Sequence, residues 1–118
     1  YDDMPEIRDC RVGVVNLFLR ATTAALTINE NADTDVRTDL DAALRCIVPR
    51  DACARASFVG VSLDIPVHDG RLALGTWQGL YLCEWGGAGE DERNGEPSLP
   101  PPPREVVATL LSVTDHKA

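Results

Sequence analysis

From Ser62 the chain alternates, with Leu63, Ile65 and Val67 apolar and Asp64 and Pro66 between them. That period of two predicts a half-buried strand, and Pro66 puts it at an edge or a bulge. His68-Asp69-Gly70 follows as a turn, because Asp-Gly is a strong reverse-turn pair. Arg71 to Leu74 begins a second extended run, Gly75-Thr76-Trp77-Gln78 breaks it, and Leu80 to Trp85 resumes it. Upstream, Val12 to Leu19 is rich in β-branched and aliphatic residues and predicts a central strand. Ala24 to Ile28 predicts the next strand, so Arg20 to Thr23 is a bend. Glu105 to Val113 closes the chain with apolar residues on both faces, which places it inside a sheet or at a subunit contact.

Helical spacing appears between these strands. Asn29-Glu30-Asn31 ends a strand, and Asp33 or Thr34 caps a helix running to about Cys46. Val36, Leu40, Leu44 and Ile47 form its apolar stripe, and Pro49 stops it. Met4, Ile7 and Cys10 make the inner side of a short helix that has Pro5 in its first turn. Asp51 to Val59 reads either as a second short helix with Ala52, Ala56 and Val59 inward or as an irregular lead-in to the strand at Ser62. The stretch 86–103 has no periodicity and holds four glycines and five prolines. It reads as a flexible surface loop inserted between two hairpin strands, or as a proline-directed partner site. The class these patterns give is α+β, a mostly antiparallel β-sheet with one or two helices packed on it, in a single domain over residues 1–118.

Composition narrows the partners. The net charge is -8, which makes nucleic acid a poor partner because phosphate binding needs a basic face. No apolar run approaches a membrane span, and none ahead of the first strand reads as a signal peptide. The spacing of Cys10, Cys46, Cys53 and Cys83 fits neither a zinc knuckle nor a CxxC redox pair. Cys46 and Cys83 sit in apolar patterns, which predicts buried, reduced thiols and a cytoplasmic setting.

Several polar groups are candidates for chemistry. Asn29, Glu30 and Asn31 cluster at a strand-to-helix junction, where a carboxylate between two amides can orient a polar ligand or act as a base. Capping and turn chemistry would use the same residues. Arg71 beside Asp69-Gly70 can hold a phosphate bidentately or pair with Asp69. Thr76 and Gln78 can bond a ligand or satisfy backbone beside the bend, and Trp77 belongs to the core or a subunit contact. Thr22 and Thr23 can offer hydroxyls to a phosphate or serve as ordinary strand residues. Cys53 with Asp51 supplies at most two metal ligands. His68 lies in a turn and His116 in the tail, so three ligands for zinc cannot be assembled from the sequence.

Two of these stretches carry a resemblance. Ser62, Ile65, Val67, Gly70, Gly75-Thr76-Trp77-Gln78 and Leu80 fit the signature of the YjbQ-like family at every position. Leu26 to Leu40, LTINENADTDVRTDL, is similar to that family's other characteristic run. The resemblance implies a sheet with helices packed against it, assembled as a homotrimer with an inter-subunit pocket. It also implies a weak thiamine-phosphate synthase activity, joining hydroxymethylpyrimidine diphosphate to a thiazole phosphate with loss of pyrophosphate. Mg2+ or another divalent metal would accompany that reaction, and a small phosphorylated molecule or anion would be the ligand. On this reading the pocket draws on Asn29, Glu30, Asn31, Asp69, Arg71, Thr76 and Gln78.

The sequence also departs from the family. Phe18-Leu19-Arg20-Ala21-Thr22-Thr23-Ala24 has Ala21 where family members usually carry histidine, and Asn16 where another histidine often falls. The polar loop expected after the first long helix is largely absent, since the run Arg55-Ala56-Ser57-Phe58-Val59-Gly60 follows almost directly on Pro49, with Asp51 and Cys53 beside it. Alanine can neither bind a metal nor move a proton. A non-catalytic member that keeps the fold is therefore a rival to the enzyme, and a phosphate- or anion-binding module near Arg71 is a third reading.

Overall fold

A computed structural model describes residues 4–85 and 103–113. After a short 3-10 helix at Pro5–Asp9 come strands β1 (Val12–Leu19) and β2 (Ala24–Glu30). Helices α1 (Thr34–Ile47) and α2 (Ala52–Val59) follow, then β3 (Ser62–His68), β4 (Arg71–Leu72), β5 (Gln78–Glu84) and β6 (Val106–Ser112). All pairing among the described residues is antiparallel, in one sheet of order β4-β3-β1-β6 and a second of β2-β5. This is the α+β architecture that the patterns predict.

The alternation of β1 sets the layers. Val15 and Leu19 are buried on its inner side, while Val12, Val14 and Phe18 are exposed on the other. Val15 packs with Ile65 and Val67 of β3 and with Ile7 and Cys10 from the N-terminal segment. Leu19 packs with Ala24 and Leu26 of β2, which joins the two sheets at the bend between β1 and β2. The helices cover the opposite side of β2-β5, where Leu44, Ala52 and Ala56 meet Ala25 and Trp85. The Asp-Gly turn forms as expected. Asp69 and Gly70 both take left-handed backbone (φ 49 and 78), the conformation that a two-residue hairpin loop requires. A side chain at Gly70 would also meet the Arg8 carbonyl oxygen at 2.5 Å.

Several expectations are corrected. Asn29 and Glu30 do not end the strand but continue it, because they pair with Gly79 and Gln78. Cys46 is exposed, not buried, because only Leu44 of the α1 stripe is fully covered, and Ile47 is 58% exposed. Trp77 is 64% exposed and is no core residue. β6 lies at a sheet edge with exposed residues on both faces, so its apolar content does not mark an interior strand. β5 and β6 belong to different sheets and are not hairpin partners, and the loop assigned to 86–103 lies outside the described residues up to Pro103. Pro66 is not on an edge strand, because β3 runs between β4 and β1. It is tolerated because the short β4 pairs only with Val67 and His68, and Pro66 takes part through its carbonyl, which accepts from the Ala73 amide at 2.8 Å. The segment from Asp51 resolves as a helix, with Ala52 and Ala56 buried and Val59 partly so.

Candidate functional site

The sequence-predicted polar residues fall in three places. The first is the far end of β2. There the Asn31 amide donates to the Trp77 carbonyl at 2.6 Å, and the Tyr81 hydroxyl donates to the Glu30 carbonyl. The Gln78 side chain accepts from the Gly75 amide at 2.7 Å and closes the turn over Thr76 and Trp77. Asn29 accepts from the Glu30 amide at 2.8 Å. A Cβ on Gly79 would lie 2.7 Å from that of Asn31, so the G-T-W-Q-G run clasps the end of β2 by close backbone approach. The structure thus brings Asn29, Glu30 and Asn31 together with Thr76 and Gln78. It also commits the Asn29 and Gln78 side chains to holding backbone.

The second place is the turn after β3. Asp69 pairs with His68 at 3.2 Å, both exposed, and not with Arg71. Arg71 has no ion pair or side-chain hydrogen bond among the described residues. No hydrogen bond or ion pair joins this turn to the far end of β2.

The third place is the bend between β1 and β2. Gly60 accepts from the Leu26 amide at 3.0 Å and Val61 from the Leu19 amide at 2.8 Å, so the exit of α2 is tied to both sheets. An open cleft of about 570 Å³ results, lined by Ala21, Thr22, Cys53, Ser57, Gly60 and Val61. Along the bend a second cleft shares Ala21, Thr22 and Val61 and adds Arg20, Thr23 and Arg104. Thr23 is buried, and its hydroxyl accepts from Arg104 at 2.7 Å. Arg104 also grips Glu84 at 2.6 Å, and this hydrogen bond raises the guanidinium pKa and keeps it charged. Arg20 pairs with Glu105 at 2.8 Å, with both side chains more than half exposed.

These places do not form one pocket within a chain. Thr22 and Thr23 stand at one end of β2 and Asn29 to Asn31 at the other, roughly 20 Å apart along the strand. Asp51 is the N-cap of α2 and accepts from the Cys53 and Ala54 amides at 3.0 and 3.3 Å. No group of three His, Cys, Asp or Glu able to hold a metal occurs among the described residues, so Asp51 and Cys53 do not make a complete metal site there. The sequence reading missed Arg20, Ser57 and Arg104. Arg20 stands beside Ala21 in the run Phe18 to Ala24 and is legible in the sequence. Arg104 follows a proline run and gave no signal of where it docks.

The described residues define a small α+β protein of two antiparallel sheets with a polar cleft at the bend that links them. The chain belongs to the UPF0047 protein YjbQ-like family, whose model matches residues 4–112. It is similar to the UPF0047 protein YjbQ of Salmonella typhimurium, at 34% identity over 123 residues, covering 92% of this chain and 80% of that protein. That aligned length exceeds the part of this chain it covers, so the relative carries residues with no counterpart here. It is also similar to the UPF0047 protein YugU of Bacillus subtilis, at 39% identity over 87 residues, covering 64% of this chain and 66% of that protein. Among solved structures, a protein from C. acetobutylicum superposes with a TM-score of 0.72 at 34% identity, covering 92% of this chain and 80% of that one.

Proposed function

We propose that this protein binds a small phosphorylated molecule in the cleft at the β1–β2 bend, and that its chemistry is of the thiamine-phosphate synthase type. One observation carries the reading. Thr22 from the β1–β2 bend and Cys53 and Ser57 from α2 line one cleft, which also holds Ala21, at the position where family members usually carry a histidine. Hydroxyl donors suit phosphate oxygens, and Arg20 at the rim is available because an exposed ion pair with Glu105 is worth little and exchanges readily. In the reaction, joining the pyrimidine to the thiazole nitrogen breaks a carbon–oxygen bond and releases pyrophosphate. Positioning and neutralising that leaving group is the work these residues suit. No group of three metal-ligating side chains occurs among the described residues, and the hydroxyls and Arg20 are the groups placed to meet the diphosphate.

A second reading rests on Ala21, whose methyl group lines the same cleft and offers no imidazole. It makes the protein a non-catalytic binder of the same ligand class. Complementation of a thiamine-requiring strain separates the two. Growth at normal expression supports the synthase, and no growth by a protein that still binds the phosphorylated thiazole supports the binder.

Self-association accompanies either reading. What supports it is the outer face of the larger sheet, where Val14, Phe18, Val107 and Leu111 stand exposed side by side. A trimer is the expected assembly, and sedimentation equilibrium reading a monomer would exclude it. The exposed thiols of Cys46 and Cys53 suit a reducing, cytoplasmic setting, which oxidation of the purified protein in air would probe.

A further inference from the structure

A separate cavity of about 170 Å³ lies between α1 and β5 and shares no residue with the cleft at the bend. Its apolar walls include Leu40 and Leu44 of α1, Leu82 of β5, and Trp85. Leu44 and Trp85 are almost fully buried, so this part of the wall belongs to the packed interior, whereas Leu82 is 47% exposed. The volume is near the ~150 Å³ of an apolar cavity that accepts one benzene ring. An aromatic wall favours an aromatic guest.

The charges at the mouth are unequal in what they have left to offer. Asp41 is engaged by Arg45, whose Nε donates to both carboxylate oxygens at 3.0 and 3.2 Å. Glu84 is engaged by Arg104 at 2.6 Å. Arg37 also lines the cavity, and among the described residues it has no ion pair and no side-chain hydrogen bond. Each carboxylate thus has a basic partner, while the Arg37 guanidinium beside the apolar walls has none among the described residues. A guanidinium fork matches a carboxylate with two parallel hydrogen bonds. We infer that this cavity binds a small aromatic carboxylate, with its ring against Leu44 and Trp85 and its carboxylate on Arg37.

The test uses phenylacetate as probe and Trp85 as reporter. Trp77→Phe removes the exposed indole and leaves Trp85 as the sole tryptophan. Phenylacetate is expected to change its fluorescence saturably. Arg37→Ala is expected to weaken binding about tenfold or more, and Arg37→Lys is expected to restore part of it. Benzyl alcohol, which keeps the ring and lacks the charge, should bind as weakly as phenylacetate binds the Arg37→Ala protein. Should Trp77→Phe fail to fold, the methyl resonances of Leu40, Leu44 and Leu82 in the unaltered protein report the same titration. Absence of saturation at millimolar phenylacetate overturns the proposal. So does equal binding of acid and alcohol, or equal binding by the Arg37→Ala protein.

Discussion

Arg55 has no exposed surface, and its side chain is held inside the helical layer by polar and ring contacts. Its Nε donates to the Val48 carbonyl at 2.6 Å, and its guanidinium lies 5.6 Å from the centroid of the Trp85 ring. One side chain thereby fixes the end of α1, the body of α2 and the end of β5. Arg55→Ala would leave the part-buried Val48 carbonyl without this donor and a void beside Trp85, a loss of about 3 kcal/mol. Urea unfolding measures it, and a change below about 1 kcal/mol would mean that neither contact matters. Nothing in the sequence announced this residue. An arginine among alanines at helical spacing reads as a solvated face, and only the packing of Trp85 reveals otherwise.

Cys83 offers a prediction in pH. Burial first, and the nearby Asp41 carboxylate second, raise its thiol above the ordinary value of 9.0. The folded protein therefore holds this proton more tightly than the unfolded chain does. Its contribution to stability is complete below pH 9.0 and declines as pH rises past that value toward the raised one. Unfolding midpoints followed from pH 8 to 10.5 should fall less steeply in Cys83→Ala than in the unaltered protein. A steeper fall in the variant would contradict the assignment.

At the level of elements, caps and strands were legible because their signals are local. Asp33 accepts from the Asp35 amide at 2.9 Å and opens α1 where a capping residue precedes the apolar stripe. The alternation of β1 and β3 and the Asp-Gly turn likewise mark their own boundaries. What stayed hidden was pairing across the chain. The run after Trp85 gave no sign that β5 joins β2 while β6 joins β1. For the same reason the sequence places Asp69 and Arg71 in one pocket with Asn29 to Asn31, although no hydrogen bond or ion pair among the described residues joins the two places.

Asp51 shows how an element-level role competes with a chemical one. As the cap of α2 it should tolerate Asn and resist Ala. Asp51→Ala is expected to cost about 1 kcal/mol in chemical denaturation and Asp51→Asn much less. Were Asp51 chiefly a metal ligand, both variants would lose bound divalent metal by elemental analysis, and their stabilities would not differ in this order.

Across the molecule, two sheets meet at the β1–β2 bend, and the exit of α2 is bonded to both. This junction gives the family signature and the polar cleft different tasks. The G-T-W-Q-G run closes the far end of β2, whereas the cleft opens at its near end. Sequence alone pointed to the signature because its residues match the family pattern position by position. The cleft is assembled from residues some 30 positions apart, Thr22 with Cys53 and Ser57, and becomes visible only once the chain folds.

Calorimetric titration with the thiazole phosphate tests that cleft most directly, using the unaltered protein beside a Thr22→Val, Ser57→Ala double variant. The unaltered protein should bind saturably and the variant about tenfold or more weakly, at unchanged thermal stability. Equal binding by the two proteins, or no binding by either, would contradict a phosphate site at the bend.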